Sequence, residues 1–102
     1  MGVTPQLEDG YTRIANDLLD AIIKFDFSKR QQKIVFAVAR KTYGFGKKND
    51  DISASQLVEI TGLSRANVSR TIAELKKRNV LTVDVGKYGY LIEINKNYLL
   101  WG

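Results

Sequence analysis

The chain contains no cysteine and no histidine among its 102 residues. Thiolate and imidazole metal sites, cysteine and histidine nucleophiles and every histidine-based triad are thereby excluded. Disulfides are excluded as well, so the fold must rest on packing alone. No apolar run reaches the ~18 residues of a membrane-spanning helix, so no membrane partner is expected. The N-terminus lacks a basic stretch followed by an apolar one, so no secretory signal is read and a cytoplasmic location is expected. A chain of this length fits one domain with one modest core and leaves no room for a separate catalytic domain. No catalytic residue, metal or cofactor is expected, and the reading is not of an enzyme.

Charge is plentiful and unevenly placed. The chain carries a formal net charge of +5 and a pI near 9.6. Residues 1–28 hold an excess of acids. Residues 29–49 hold Lys29, Arg30, Lys33, Arg40, Lys41, Lys47 and Lys48 with no acid at all. Acids dominate again over 50–59. Residues 60–83 then hold Arg65, Arg70, Lys76, Lys77 and Arg78 against Glu74. Such a distribution permits one positive face and one negative back, and so favours docking onto phosphate in one orientation.

Local patterns divide the chain into a flexible arm over 1–10, a domain over 11–94 and a tail over 95–102. The arm has Gly2, Pro5 and Gly10 and no period. Ile14, Leu18, Ile22 and Phe25 form one apolar stripe and predict a helix over Thr12–Phe25. Ser28 followed by Gln31 is a capping box that opens a second helix running to Thr42, with Gly44 as its stop and Arg40 and Lys41 in its last turn. Phe45–Asp50 reads as a loop and Asp51-Ile52 as a very short strand. Ser53 with Gln56 is a second capping box, and the helix it opens ends at Gly62. Ser64 caps a fourth helix reaching about Arg78, with Val68, Ile72 and Leu75 facing inward. Val80–Val85 and Tyr90–Ile94 are strands joined by the turn Gly86-Lys87-Tyr88-Gly89, a hairpin on one sheet edge. The fold class is therefore mainly α with a small β-hairpin, in the element order of a winged helix-turn-helix.

The stretch Thr61-Gly62-Leu63-Ser64 is how a helix-turn-helix is wired. Gly62 adopts the left-handed conformation that ends one helix, Leu63 plugs the gap and Ser64 starts the next helix. On the fourth helix Ala66, Arg70, Ala73 and Lys77 lie opposite the apolar stripe, and Asn67, Ser69 and Glu74 flank them. Small residues allow close approach to base edges. Arg70 can fork onto guanine and Asn67 onto adenine. Arg65, Ala66, Asn67 and Arg70 are the expected base readers. Lys47, Lys48, Ser53, Ser55, Ser64, Ser69 and Lys77 are expected on phosphates, with Lys87 and Tyr88 at the wing tip. Lys47 and Lys48 are expected beside a phosphate that Ser53 or Ser55 also contacts. Gly44-Phe45-Gly46-Lys47 has the wrong spacing for a phosphate loop. Asp50-Asp51 reads as acids favouring a helix dipole rather than as a Mg²⁺ site.

These residues resemble the N-terminal, origin-binding domain of the bacteriophage lambda O-type replication proteins. The likeness is carried by Gly10-Tyr11-Thr12-Arg13-Ile14-Ala15-Asn16 with Leu18-Leu19, and by Arg40-Lys41-Thr42-Tyr43-Gly44-Phe45 with Lys47-Lys48 and Asp50. It continues in Ile52-Ser53-x-Ser55-Gln56-Leu57 and in Thr61-Gly62-Leu63-Ser64-Arg65-x-x-Val68-Ser69-Arg70. The helix-turn-helix stretch is shared with many regulators, whereas the first two stretches are more particular. The resemblance implies a winged-helix domain that binds repeated, partly palindromic double-stranded DNA sites in a phage origin. It also implies that helicase-loading proteins are recruited through a separate C-terminal region, which this chain, ending at Trp101-Gly102, is expected to lack. A homodimer on palindromic sites is a further expectation, since one helix reads only a half-site. Two other readings stand beside this one. One is a winged-helix transcriptional regulator. The other is a winged-helix protein-interaction module using the Tyr98-Leu99-Leu100-Trp101 tail.

Overall fold

Ser28 opens the helix around which the molecule is assembled. In the computed structural model, which describes Pro5, Gln6, Glu8 and residues 10–102, Ser28 Oγ accepts from Gln31 N at 3.2 Å and Ser28 N donates to Gln31 Oε1 at 3.0 Å. This reciprocal pair satisfies two backbone donors that the first turn leaves without partners. Helix α2 then spans Lys29–Thr42 and buries Ile34, Val35 and Val38 completely. It packs on the two helices that follow and on the central strand of the sheet. The arm expected over 1–10 lies mostly outside the described residues.

Helix α1 spans Asn16–Lys24, four residues shorter at its start than the apolar stripe predicts. Ala15 stands at its N-cap with extended backbone and no side-chain cap bond. The physical reason lies at Gly44, where an added Cβ would meet Thr12 Oγ1 at 3.2 Å and Arg40 Nη1 at 2.7 Å. Residues 10–12 lie across the end of α2 instead of continuing the helix. Leu18 and Ile22 are buried as expected, and Ile14 packs against the core from outside the helix. The stop of α2 is also corrected. A short 3-10 turn over Tyr43–Phe45 follows Thr42, and the left-handed residue is Gly46 (φ 69°), not Gly44.

Strand β1 spans Asn49–Ile52, helix α3 Ala54–Thr61, helix α4 Arg65–Lys77, strand β2 Leu81–Val85 and strand β3 Tyr90–Ile94. The second capping box is present, with Ser53 Oγ accepting from Gln56 N and Gln56 Oε1 accepting from Ser53 N. The α4 exit is made by Asn79, a non-glycine residue at φ 63°. Asparagine tolerates this left-handed geometry better than most side chains. Val80 N then reaches back to Leu75 O at 3.0 Å, so Val80 is a buried cap residue and the strand starts one residue later than expected.

The sheet order is β1-β3-β2, wholly antiparallel. The hairpin is therefore not confined to one edge: β3 is the central strand, and β1 pairs along it with Asn49 opposite Glu93 and Ile52 opposite Tyr90. Ile52, Ile92 and Ile94 turn inward with Leu81 and Val83 to meet α2, α3 and α4. The tail folds back. Trp101 sits edge-on to Phe25 with ring centroids 5.5 Å apart and 6.0 Å from Phe27, and its indole N–H donates to Asn95 O. Leu99 and Leu100 stay exposed. Among the described residues no helix is long and apolar enough to cross a membrane.

Candidate nucleic-acid interface

Gly62 takes φ 73° and its N–H donates to Val58 O at 2.9 Å, ending α3 in one residue. Lys33 Nζ of α2 donates to Thr61 O at 3.2 Å, placing a cation on the negative end of α3. Leu63 packs on the core and Ser64 Oγ accepts from Asn67 N at 3.1 Å. The turn between the helices is thus three residues long and held at both ends.

Packing fixes which side of α4 is free. Val68, Thr71, Ile72 and Leu75 are buried, while Arg65, Ala66, Ser69, Arg70, Ala73, Lys76 and Lys77 are exposed. The inward stripe Val68-Ile72-Leu75 is the one the spacing predicts. Thr71 belongs to it too, and its hydroxyl has no hydrogen-bond partner among the described residues.

The expected base readers differ in freedom. Arg70 is exposed and makes no hydrogen bond or ion pair among the described residues. Arg65 Nη2 donates to Ser55 Oγ at 2.7 Å, tying the start of α4 to the start of α3. Asn67 is half-buried, and its Oδ1 accepts from Arg30 Nη1 at 3.1 Å. Its amide nitrogen keeps two donors. Arg30 also faces Glu74 at 3.9 Å, and Glu74 accepts from Gln31 Nε2 at 3.1 Å. Gln31 Oε1 in turn accepts from Arg78 Nη1 at 2.9 Å. This polar chain clamps α4 to α2 and fixes the rotation of α4 about its axis.

The hairpin tip is fastened by a residue the sequence did not single out for this purpose. Asp51 Oδ2 accepts from Lys87 N and from Tyr88 N, the latter at 3.0 Å. Gly86 lies against the Asp51 carboxylate and Gly89 against the Ile52–Ser53 backbone, where a Cβ at either position would collide. Asp51 thus serves the tip rather than a helix dipole or a cation. Two glycines bracketing a two-residue tip are the sequence signal for such a close approach. Lys87 Nζ lies 5.3 Å from the Tyr88 ring centroid, and both side chains are exposed.

These contacts run in sequence from the tip through Asp51 to Ser53, from Ser55 to Arg65, and so onto α4. They gather Ser53, Ser55, Ser64, Lys87 and Tyr88 around the α3–α4 pair. Lys47 and Lys48 are not brought there. They precede β1 at its Asn49 end, beside Glu93, whereas the tip sits at its Ile52 end. An extended strand rises ~3.3 Å per residue, which puts Lys48 roughly 16 Å of chain from Ser53. Lys47 instead lies 3.7 Å from Asp50.

Burial, and then the charge of Glu93, push the Tyr43 phenol above its usual value of 10.0.

The geometry defines a small mainly helical domain that presents a cationic helix face beside a hairpin tip. The family described as bacteriophage replication protein O matches residues 4–101, and the chain belongs to that family. It is 42% identical over 96 residues to the DNA replication protein gp18 of Salmonella phage P22, covering 94% of this chain and 34% of that protein. It is 41% identical over 95 residues to replication protein O of Escherichia phage lambda, covering 93% and 27%. Replication protein 15 of Enterobacteria phage phi80 is 28% identical over 100 residues, covering 98% and 33%. The chain thus spans about a third or less of these relatives. No solved structure matches.

Proposed function

We propose that this chain is a sequence-specific double-stranded DNA-binding domain that recognises repeated origin sites to initiate phage DNA replication in the host cytoplasm. In this reading the arrangement is a winged helix and α4 lies in the major groove. Arg70 and Arg65 offer forked donors to guanine, Ala66 lets the backbone approach, and Asn67 contributes its amide NH₂. Ser53, Ser55, Ser64, Ser69 and Lys77 hold phosphates, and Lys87 with Tyr88 meets the flanking groove. Two copies occupy a partly palindromic site, since one helix spans a half-site. Recruitment of helicase-loading proteins belongs to the portion of the relatives that this chain does not span. The chemistry performed here is binding, not catalysis.

The observation that carries this reading is the free Arg70 on an outward face of small and cationic residues, with α4 held rigidly by its contacts to α2. Selection of bound duplexes from random DNA tests it. An enriched, spaced motif is expected, and recovery of unrelated sequences at uniform affinity contradicts it.

A further inference from the structure

The stretch Arg40-Lys41-Thr42-Tyr43-Gly44-Phe45 with Lys47-Lys48 is among the more particular in the sequence, yet it lies away from α4 and the hairpin tip. In the structure it forms a surface of its own. Phe45 is 60% exposed and Tyr11 59% exposed, so both rings stand largely in solvent. Each ring is braced by cations. The Arg40 guanidinium lies 5.4 Å and Lys41 Nζ 5.9 Å from the Phe45 ring centroid. Arg13 lies 5.9 Å from that of Tyr11, and Lys96 Nζ 5.6 Å from that of Tyr43.

Three grooves connect these groups. One, of about 370 Å³, runs between Gly10–Thr12 and Arg40, Gly44 and Phe45. A second, of about 420 Å³, lies between Tyr11, Arg13 and Tyr43. The third, of about 220 Å³, is lined by Arg13, Tyr43, Gly46, Lys47, Lys48 and Lys96. Asp50 and Glu93 border this surface near Lys47 and Tyr43, and Asp50 is already paired with Lys47. Arg40, Lys41, Lys48 and Lys96 have no acidic partner among the described residues.

Cations alone describe a solvated surface or a duplex-phosphate contact. Exposed rings interleaved with cations describe something narrower. In an intact duplex the base faces are covered by their neighbours, so a surface ring has nothing to stack on. Unpaired bases have free π-faces, and proteins that hold single strands combine aromatic platforms with a cationic track for the backbone. Gly44 lets residues 10–12 lie against the end of α2, so that Tyr11 and Phe45 line one groove.

We infer that the surface formed by Tyr11, Arg13, Arg40, Phe45, Lys48 and Lys96 binds single-stranded DNA, with Phe45 and Tyr11 stacking on bases and the cations following the backbone. It is separate from the α4 face. An initiator so equipped holds a duplex site on one face and an unwound strand on the other.

The test uses the 102-residue chain and a fluorescein-labelled oligothymidylate of 15 nucleotides (~15, chosen to exceed one binding site), with anisotropy read at low salt. A duplex carrying the selected motif is the second probe. The wild type is expected to bind the oligothymidylate. Phe45→Ala should weaken that binding roughly tenfold, the scale of one lost base stack, and leave duplex affinity within about twofold. Arg70→Ala should do the reverse. Phe45→Trp should restore single-strand binding, with indole fluorescence quenched beyond that of Trp101 alone. Thermal melting of each variant should match the wild type, because Phe45 is exposed. Absence of wild-type binding to oligothymidylate overturns the inference. So does a Phe45→Ala protein with unchanged single-strand affinity, or one that loses single-strand and duplex binding in parallel.

Discussion

Arg70 and Asn67 sit one turn apart on α4 and have different neighbours. Both were readable as forked hydrogen-bonding groups from the helical spacing, because the inward stripe Val68-Ile72-Leu75 dictates what points outward. Spacing could not reveal that Arg30, 37 positions away, holds the Asn67 amide oxygen. Thr71 shows the same limit. Its hydroxyl is buried without a partner among the described residues, a state that costs free energy. Thr71→Val keeps the shape and removes the polar atom, so it should stabilise the fold by ~1 kcal/mol, read as a higher melting temperature. Tyr43 gives the stability a dependence on alkaline pH. Its folded acidity is displaced upward from 10.0. Below that pH both folded and unfolded chains keep the proton and stability is intact. Above it the unfolded chain releases the proton first, so stability falls as pH rises. Tyr43→Phe removes a phenol oxygen that is buried without a hydrogen-bond partner among the described residues, so it should be somewhat more stable than the wild type at pH ~7 and decline less than it above pH ~10, as followed by urea titration.

At the scale of elements, the features legible in advance were those fixed by neighbours in sequence. Both capping boxes, the Gly62 turn, the Ser64 cap and the Tyr90–Ile94 strand depend on residues a few positions apart, and each stands where the pattern puts it. The stop at Gly46 and the late strand start after Val80 are local adjustments at helix ends, whereas the larger departures arise from distant partners. Helix α1 starts late because residues 10–12 lie on Gly44. Strand β1 is longer than Asp51-Ile52 because β3 supplies a full pairing edge. The tail docks because Arg78 donates to Gly102 O and lies 4.4 Å from the Phe25 ring centroid, 24 and 53 positions away in sequence. The Asp51 bond to the hairpin tip is the departure with most bearing on the candidate site. Asp51→Ala removes the acceptor for two backbone N–H groups and should cost ~1 kcal/mol. The order parameters of the Lys87 and Tyr88 amides should fall in ¹⁵N relaxation while those of α4 remain unchanged. Equal rigidity of the tip in this variant would dismiss Asp51 as its fastening.

Across the whole molecule, charge is the signal that composition announces and geometry then divides. The basic stretch of 29–49 does not act as one block. Arg30 and Lys33 hold α4 and α3 in place. Arg40, Lys41, Lys47 and Lys48 gather with the aromatic surface at the other end of β1. Of the cations on α4 and the hairpin tip, Lys77 and Lys87 are the ones assigned to the backbone, so about two charged phosphate contacts per copy are expected. The logarithm of duplex affinity should fall with the logarithm of salt at a slope of about −2, and Lys77→Ala should flatten it by about one.

The claim that α4 reads bases through Arg70 is tested most directly by pairing a protein change with a base change. Each guanine of the selected site is replaced in turn by 7-deazaguanine, which lacks the N7 acceptor, and affinity is measured for the wild type and for Arg70→Ala. The account predicts one guanine at which the wild type loses affinity by ~1–3 kcal/mol and Arg70→Ala loses nothing further. An Arg70→Ala protein that still responds to every deaza substitution as the wild type does would contradict it.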